Sequence, residues 1–452
     1  MVMDKTISRI AECGSGVTYH SLPATVIHEC KRHILDTLGC AYAAYDAEPA
    51  LMSRRLALLA QASTGARVLG TAHRSTPELA AFANGVMIRY LDGNDAFPGG
   101  GGGHPSDTLG ALLAATDMTR ASGKDLIAAT VATYEIYHRL FESSRIQDKG
   151  WDHVFYTAVA STVGVCRLLG LSPEKTRNAI ALSITPNLAL EVTRRGDLSM
   201  WKGCAGANAA RNGVFAACLA AEGMTGPAMA VEGKRGLWEV VGKFEFDPVV
   251  HASDGFRILS ANLKLFLAEY HAQAPITVAL ALHGQVPLED IERITIYTYQ
   301  FASIRNKGDV GLSQTLTRET ADHSISYMVA AALIDGSFSD AIFSDDRLKD
   351  GNIHWLMKTI EVVEDMDYTR AYPELNPCRI EILCKDGQRK SAAVDYPLGH
   401  VKNPMSDHEV EEKYRSLSAR ALPPEQIASL SAHVWRLEHL ADASVLLDTT
   451  PG

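Results

Sequence analysis

The chain has 452 residues, of which 46% are hydrophobic and 21% charged, and its formal net charge is -10. That length suits two or three domains, and that composition builds a large core, so global disorder is excluded. The negative sign argues against a general nucleic-acid or anionic-membrane binder, while a local basic cluster leaves room for a small anionic substrate.

Met1 to Ile10 contains Asp4, Lys5 and Arg9 and no apolar run, so it does not read as a signal peptide. No stretch approaches the roughly 18 uninterrupted apolar residues of a membrane span. The eight cysteines form no C-x-x-C pair, and most sit among Ala, Leu and Val as small buried hydrophobes. The expectation is a reduced, cytoplasmic protein.

From about Ser21 to Gly226 the pattern is helical. Ala24–Ala44 places Val26, Ile27, Cys30, Ile34, Leu35 and Leu38 on one apolar stripe. Pro77 opens another helix with Thr76 as its N-cap. Leu109–Thr119, Asp125–Tyr137, Thr157–Leu169, Pro173–Leu182 and Ala205–Glu222 continue the series, and their many alanines permit close packing. After about Val286 the pattern changes. Ile291–Gln300 alternates as a strand, Thr359–Glu364 is a shorter one, and Lys385-Asp386-Gly387 reads as a hairpin turn between Cys378–Cys384 and Ser391–Asp395. Ser324–Ile334 is an apolar helix, and Ser406 starts a helical return. The predicted fold is mainly α. A discontinuous helical domain (1–266, resumed at 402–452) carries a smaller α+β lid domain (267–401).

Five segments carry chemistry. The first, Arg89–Asp107, holds Asp92 and Asp95 three apart, predicted to face one side of a helix end, then Gly99–Gly103 and His104. A glycine run alone is most often a flexible loop. Asp and His packed so densely between two apolar helices point to a site. The phosphate-loop reading fails, since no Lys-Ser/Thr follows and no strand precedes. The second is Asp152-His153, either a satisfied core histidine or an oriented acid–base group. In the third, Lys202 precedes an Ala/Gly-rich helix whose free N–H groups attract anions, although a lysine there is ordinarily solvated. The fourth, Lys264–Gln273, brings Lys264 and His271 onto one face if it is helical. The fifth has Arg318, Asp322, His323 and Tyr327, and part of its polarity reads as helix capping.

No H-E-x-x-H spacing, close cysteine triplet, G-x-S-x-G elbow or dinucleotide fingerprint accompanies these segments. The expectation is chemistry by side chains alone, with no cofactor and no metal. Together the stretches RYLDGND…GGGHPSD, GWDHVFY, SMWKGCAGANAARNGVF, AEYHAQ, TRETADHSISYMVAAALIDG and DYPLGHVKNPMSD resemble the MmgE/PrpD family, in this order and over nearly the whole chain.

That resemblance implies a helical domain with an α+β lid, a homodimer, a small polycarboxylate substrate and a place in propionate metabolism. It implies a metal-independent hydro-lyase of the 2-methylcitrate dehydratase kind. Decarboxylation of cis-aconitate, epimerisation of an amino-diacid and a non-catalytic member remain alternatives. By motif it also implies that Asp92, His104, His153, Lys202 and His271 are catalytic and that Tyr327 matches a lid tyrosine; Arg89, Asn94, Lys264, Arg318, His323 and Tyr327 are the residues expected to bind substrate. His153 or His271, with Lys202 as competitor, is the base; His104 or Tyr327 is the acid; Lys202, Lys264 and Arg318 hold carboxylates. The family's first motif reads Asp-x-Asn-Asp-Thr, and this chain has Ala96 in place of the threonine. The lost hydroxyl is worth about 1–3 kcal/mol to a buried substrate oxygen. A smaller departure is Leu267, where relatives often carry proline.

Overall fold

The computed structural model describes residues 4–99, 102–248, 255–307 and 317–451. Among the described residues, nine α-helices follow one another in the first half: α1 (Lys5–Gly16), α2 (Ala24–Ala43), α3 (Glu48–Leu58), α4 (Pro77–Arg89), α5 (Leu109–Thr119), α6 (Gly123–Ser143), α7 (Val154–Leu168), α8 (Pro173–Ile184) and α9 (Ala205–Ala221). Two short strands, β1 (Ala66–Arg67) and β2 (Arg74–Ser75), pair between α3 and α4. Several helices start where local chemistry dictates. The Ser122 and Ser172 hydroxyls accept from the backbone N–H of Asp125 and Lys175, and Pro173 opens α8. Thr76 does precede α4, but its hydroxyl donates to Glu78 rather than capping the helix.

The alanines and glycines bring helix axes close together. A Cβ on Gly85 of α4 would stand 2.8 Å from the Ala207 Cβ of α9, so the two backbones touch at this crossing. One continuous apolar core runs from Val17 through Leu263 and takes in Met405, Val410, Tyr414, Leu430, Val434 and Leu437. The helices Asp407–Ser418 and Pro424–Trp435 thereby pack on the first half. The former begins with a reciprocal Ser406–Glu409 capping box.

A second core lies between Ala268 and Cys384. Its sheet has strand order β4-β3-β5-β6, with β3 (Ile291–Thr298) parallel to β4 (Ile360–Glu364) and antiparallel to β5 (Cys378–Cys384), which pairs with β6 (Arg389–Val394). Strand β5 alternates, with Cys378, Ile380, Ile382 and Cys384 buried. Gly387 adopts φ +86° in the β5–β6 turn, a conformation that favours glycine. Helices from this region include Gln273–Leu282 and Ile325–Asp335, the latter capped by Ser324. The fold is mainly α with a smaller α+β part, and a patch of Cys40, Tyr90, Leu91, Leu267 and Leu417 joins the two. No helix among the described residues is long and apolar enough to cross a membrane.

Candidate active site

Helix α4 ends at Arg89, and three residues later Asp92 adopts φ +54°. Aspartate is among the few L-residues that tolerate this left-handed region. Its carboxylate is met by three cations. Lys202 Nζ donates to Oδ2 at 2.8 Å, Lys264 Nζ donates to Oδ1 and to the Asp92 carbonyl oxygen at 2.6 Å, and Arg89 Nη1 stands 2.7 Å from Oδ1. All four side chains are buried. Burial pushes the Asp92 carboxyl upward, but Arg89, Lys202 and Lys264 more than offset this and hold it well below the usual carboxylate range.

Asp95 does not share that face, contrary to the helix-end expectation. The chain from Tyr90 to Asp95 has left the helix, so a spacing of three no longer means one side. The Asp95 carboxylate accepts from the Ser106 N–H at 3.1 Å and the Tyr134 hydroxyl at 2.6 Å, with His33 Nδ1 at 3.1 Å. Its carbonyl oxygen lies 2.6 Å from His104 Nδ1, and Arg89 Nη2 lies 2.9 Å from His104 Nε2. A guanidinium can only donate, so Nε2 accepts and the His104 proton sits on Nδ1. Burial, with Arg89 and Lys264 adding to it, keeps His104 well below the ordinary histidine range and therefore neutral at pH 7.

These groups face a cavity of about 310 Å³ whose lining includes Arg89, Asp92, His104, His153, His271 and His323. His153 immediately precedes α7. Its Nδ1 lies 3.2 Å from the Tyr137 hydroxyl, which also accepts from the His104 N–H at 3.2 Å. Its Nε2 is 3.5 Å from Asp152, and the two imidazole centroids of His104 and His153 are 5.5 Å apart. His271 enters from the α+β side, with Nδ1 2.5 Å from the Tyr299 hydroxyl. His323 directs Nδ1 at the Asp322 carboxylate, which Lys202 Nζ holds at 3.3 Å. Burial raises the Asp322 carboxyl, but Lys202 and His323 more than offset this and keep it ionised. The carboxylate therefore accepts, and neutral His323 carries its lone pair on Nε2, 3.8 Å from Asp92 Oδ2. Burial and the nearby Lys202 charge push His323 down to about 4.

The remaining candidates take other places. Lys202 and Lys264 stand behind Asp92 and are absent from the lining, because the protein's own carboxylates engage their ammonium groups. Asn94 is buried with its amide donating to Ser106 Oγ and Asp107 Oδ1 at 2.8 and 2.9 Å. Arg318 lies at a separate surface cleft beside Tyr90 and Phe343, outside the cavity. Tyr327 is sealed in the α+β core, its hydroxyl donating to the Ile342 carbonyl at 2.5 Å. The residues from Lys264 to Glu269 are not helical, so Lys264 and His271 share no helix face. Of the glycine run, Gly100 and Gly101 lie outside the described residues, and Gly102 and Gly103 line the cavity.

Asp322 was named in the fifth segment with part of its polarity credited to capping, and Ser324 performs the capping. Two cavity arginines escaped the sequence reading: Arg194 ends the short turn Glu191–Arg194, and Arg195 directly follows it. Their only sequence signal is an Arg-Arg pair in a polar loop, which ordinarily reads as a solvated face. Among the described residues, no group of three or more His, Cys, Asp or Glu side chains is placed to hold a metal ion.

Residues 8–248 match the MmgE/PrpD N-terminal domain and residues 266–437 the MmgE/PrpD C-terminal domain. The chain is 31% identical to the 2-methylcitrate dehydratase of Cupriavidus necator, covering 92% of this chain and 91% of that protein. It is likewise 31% identical to the 2-methylcitrate dehydratase of Escherichia coli K12 (91% and 90% covered), and 30% identical to an alkylcitrate dehydratase of a fungal species (91% and 87% covered). The chain belongs to the MmgE/PrpD family.

Proposed function

We propose that this chain is a hydro-lyase that dehydrates a hydroxytricarboxylate of the 2-methylcitrate kind by side-chain acid–base chemistry. One observation carries the reading: His104, His153, His271 and His323 converge on one cavity beside Arg89, Arg194 and Arg195. Dehydration needs a base for the proton α to a carboxylate and an acid for the departing hydroxyl. Neutral His323 carries its lone pair on Nε2 and suits proton acceptance at pH 7, whereas the His104 lone pair is engaged by Arg89; His153 and His271 line the same cavity as further acid–base candidates. Cationic groups stabilise the charge that develops on the carboxylate next to the deprotonated carbon. The relatives named as 2-methylcitrate and alkylcitrate dehydratases support the same substrate class.

On this reading the α+β part (267–401) serves as a lid on the helical domain, the enzyme is a cytoplasmic homodimer, and turnover requires no metal. Light scattering on purified protein tests the dimer. Ala96 lines the cavity, held by reciprocal backbone hydrogen bonds of 2.8 Å with Asn262. Its methyl group offers a substrate oxygen nothing, so A96T strengthens the binding of a substrate whose oxygen meets the new hydroxyl by about 1–3 kcal/mol. The deciding experiment incubates the protein with 2-methylcitrate, citrate and cis-aconitate and identifies products by mass spectrometry. Loss of water supports the proposal; loss of carbon dioxide transfers the chain to the decarboxylase reading.

A further inference from the structure

Arg194 lines the cavity with part of its guanidinium left open. Arg89 also has nitrogens outside hydrogen-bond geometry, but each faces a protein acceptor: Nη1 stands 2.7 Å from Asp92, Nη2 2.9 Å from His104 and Nε 3.7 Å from Asp107, and half-exposed Arg195 pairs with Glu191. Arg194 is nine-tenths buried, and two of its nitrogens are fixed by the protein. Nε donates to Asp152 Oδ2 at 3.0 Å and Nη1 donates to the Lys202 carbonyl oxygen at 2.9 Å. Nη2 is closed off from solvent and has no hydrogen-bond partner. A buried cationic donor without an acceptor is costly, and a side chain that served packing alone would be expected to satisfy it. Two anchored nitrogens also set the plane of the guanidinium, so the third is presented in a fixed direction.

We propose that Arg194 Nη2 receives a carboxylate oxygen of the bound substrate and thereby selects tricarboxylates over otherwise identical dicarboxylates. The inference rests on the polycarboxylate reading above and adds the residue that enforces it. Its location gives the contact a second consequence. Asp152, the partner of Arg194 Nε, adjoins His153, so a carboxylate on Nη2 lies next to a candidate acid–base group. A charge-assisted hydrogen bond from a preorganised arginine combines affinity with orientation.

Calorimetric titration with propane-1,2,3-tricarboxylate and with glutarate, which lacks the central carboxylate, tests this without turnover. Wild-type protein binds the tricarboxylate more tightly. R194Q loses about tenfold or more of that affinity, while glutarate affinity changes by less than about threefold. R194K, which keeps the charge but loses the fixed fork, falls between the two. Equal losses for both ligands, or no loss for either, would overturn the proposal. If R194Q fails to unfold cooperatively, R194K decides on the same criterion. Turnover of 2-methylcitrate by the wild type is measured alongside. Selective binding without turnover would sink the dehydratase reading and leave the role of Arg194 standing, and turnover without selective loss in R194Q would do the reverse.

Discussion

The two walls of the cavity hold their chemistry in different ways. On the helical wall, Arg89, Asp92 and His104 are backed by Lys202 and Lys264 in a buried network where each charge is stabilised by the others. On the α+β wall, His271 rests among aromatic rings: Tyr299 at its Nδ1, Phe301 at 4.8 Å, and Tyr372 stacked on Tyr299 at 4.1 Å. His323 comes from the α+β part in sequence but belongs electrostatically to the helical wall, through Asp322 and Lys202. A charge network fails as a unit when one member is removed, because the rest become uncompensated. An aromatic pocket loses one contact at a time.

The contrast is breakable at several points. D92N leaves Lys202, Lys264 and Arg89 facing a neutral group. It is expected to lower unfolding stability by about 3–5 kcal/mol and to abolish turnover, as read by chemical denaturation and product formation. An unchanged denaturation midpoint would show that the network is not interdependent. H153A is expected to reduce turnover about 100- to 10,000-fold with little change in stability, since His153 borders the cavity without anchoring the Asp92 cluster.

The third expectation concerns pH. The folded His323 titrates near 4, against an ordinary histidine value of 6.5. As pH falls below 6.5 the unfolded chain takes up this proton while the folded chain refuses it until about 4. Stability therefore declines across that window, at up to about 1.4 kcal/mol per pH unit from this group, and is unaffected by it above. H323Q should flatten that part of the profile; an identical slope would exonerate His323. The smallest effect belongs to Y299F, which removes one hydroxyl beside His271 and should cost about 1 kcal/mol, near fivefold in turnover. A collapse as deep as that of D92N would erase the distinction between the walls.

Much of the fold was legible because periodicity reports burial directly. Leu109–Thr119 and Cys378–Cys384 were delimited to the residue, and the Ser406 start followed from its capping chemistry. The site was legible where motif density was high: Asp92, His104, His153, His271 and His323 do line one cavity. What failed shares a physical cause. Helical spacing was applied to Asp92/Asp95 and to Lys264/His271, where the backbone is irregular and side-chain direction no longer follows a period. Tyr327 and Arg318 lie near His323 in sequence, but on a helix and turn that direct them to the α+β core and to another cleft. Arg194 was missed because only tertiary burial separates a recognition arginine from a solvated one.

The most direct test of the central claim follows purified protein acting on 2-methylcitrate in the presence of excess EDTA, with products resolved by mass. Acid–base catalysis by the cavity's own side chains predicts loss of one water at an undiminished rate. Loss of carbon dioxide, or a reaction that stops with chelator and resumes on adding a metal, would contradict it.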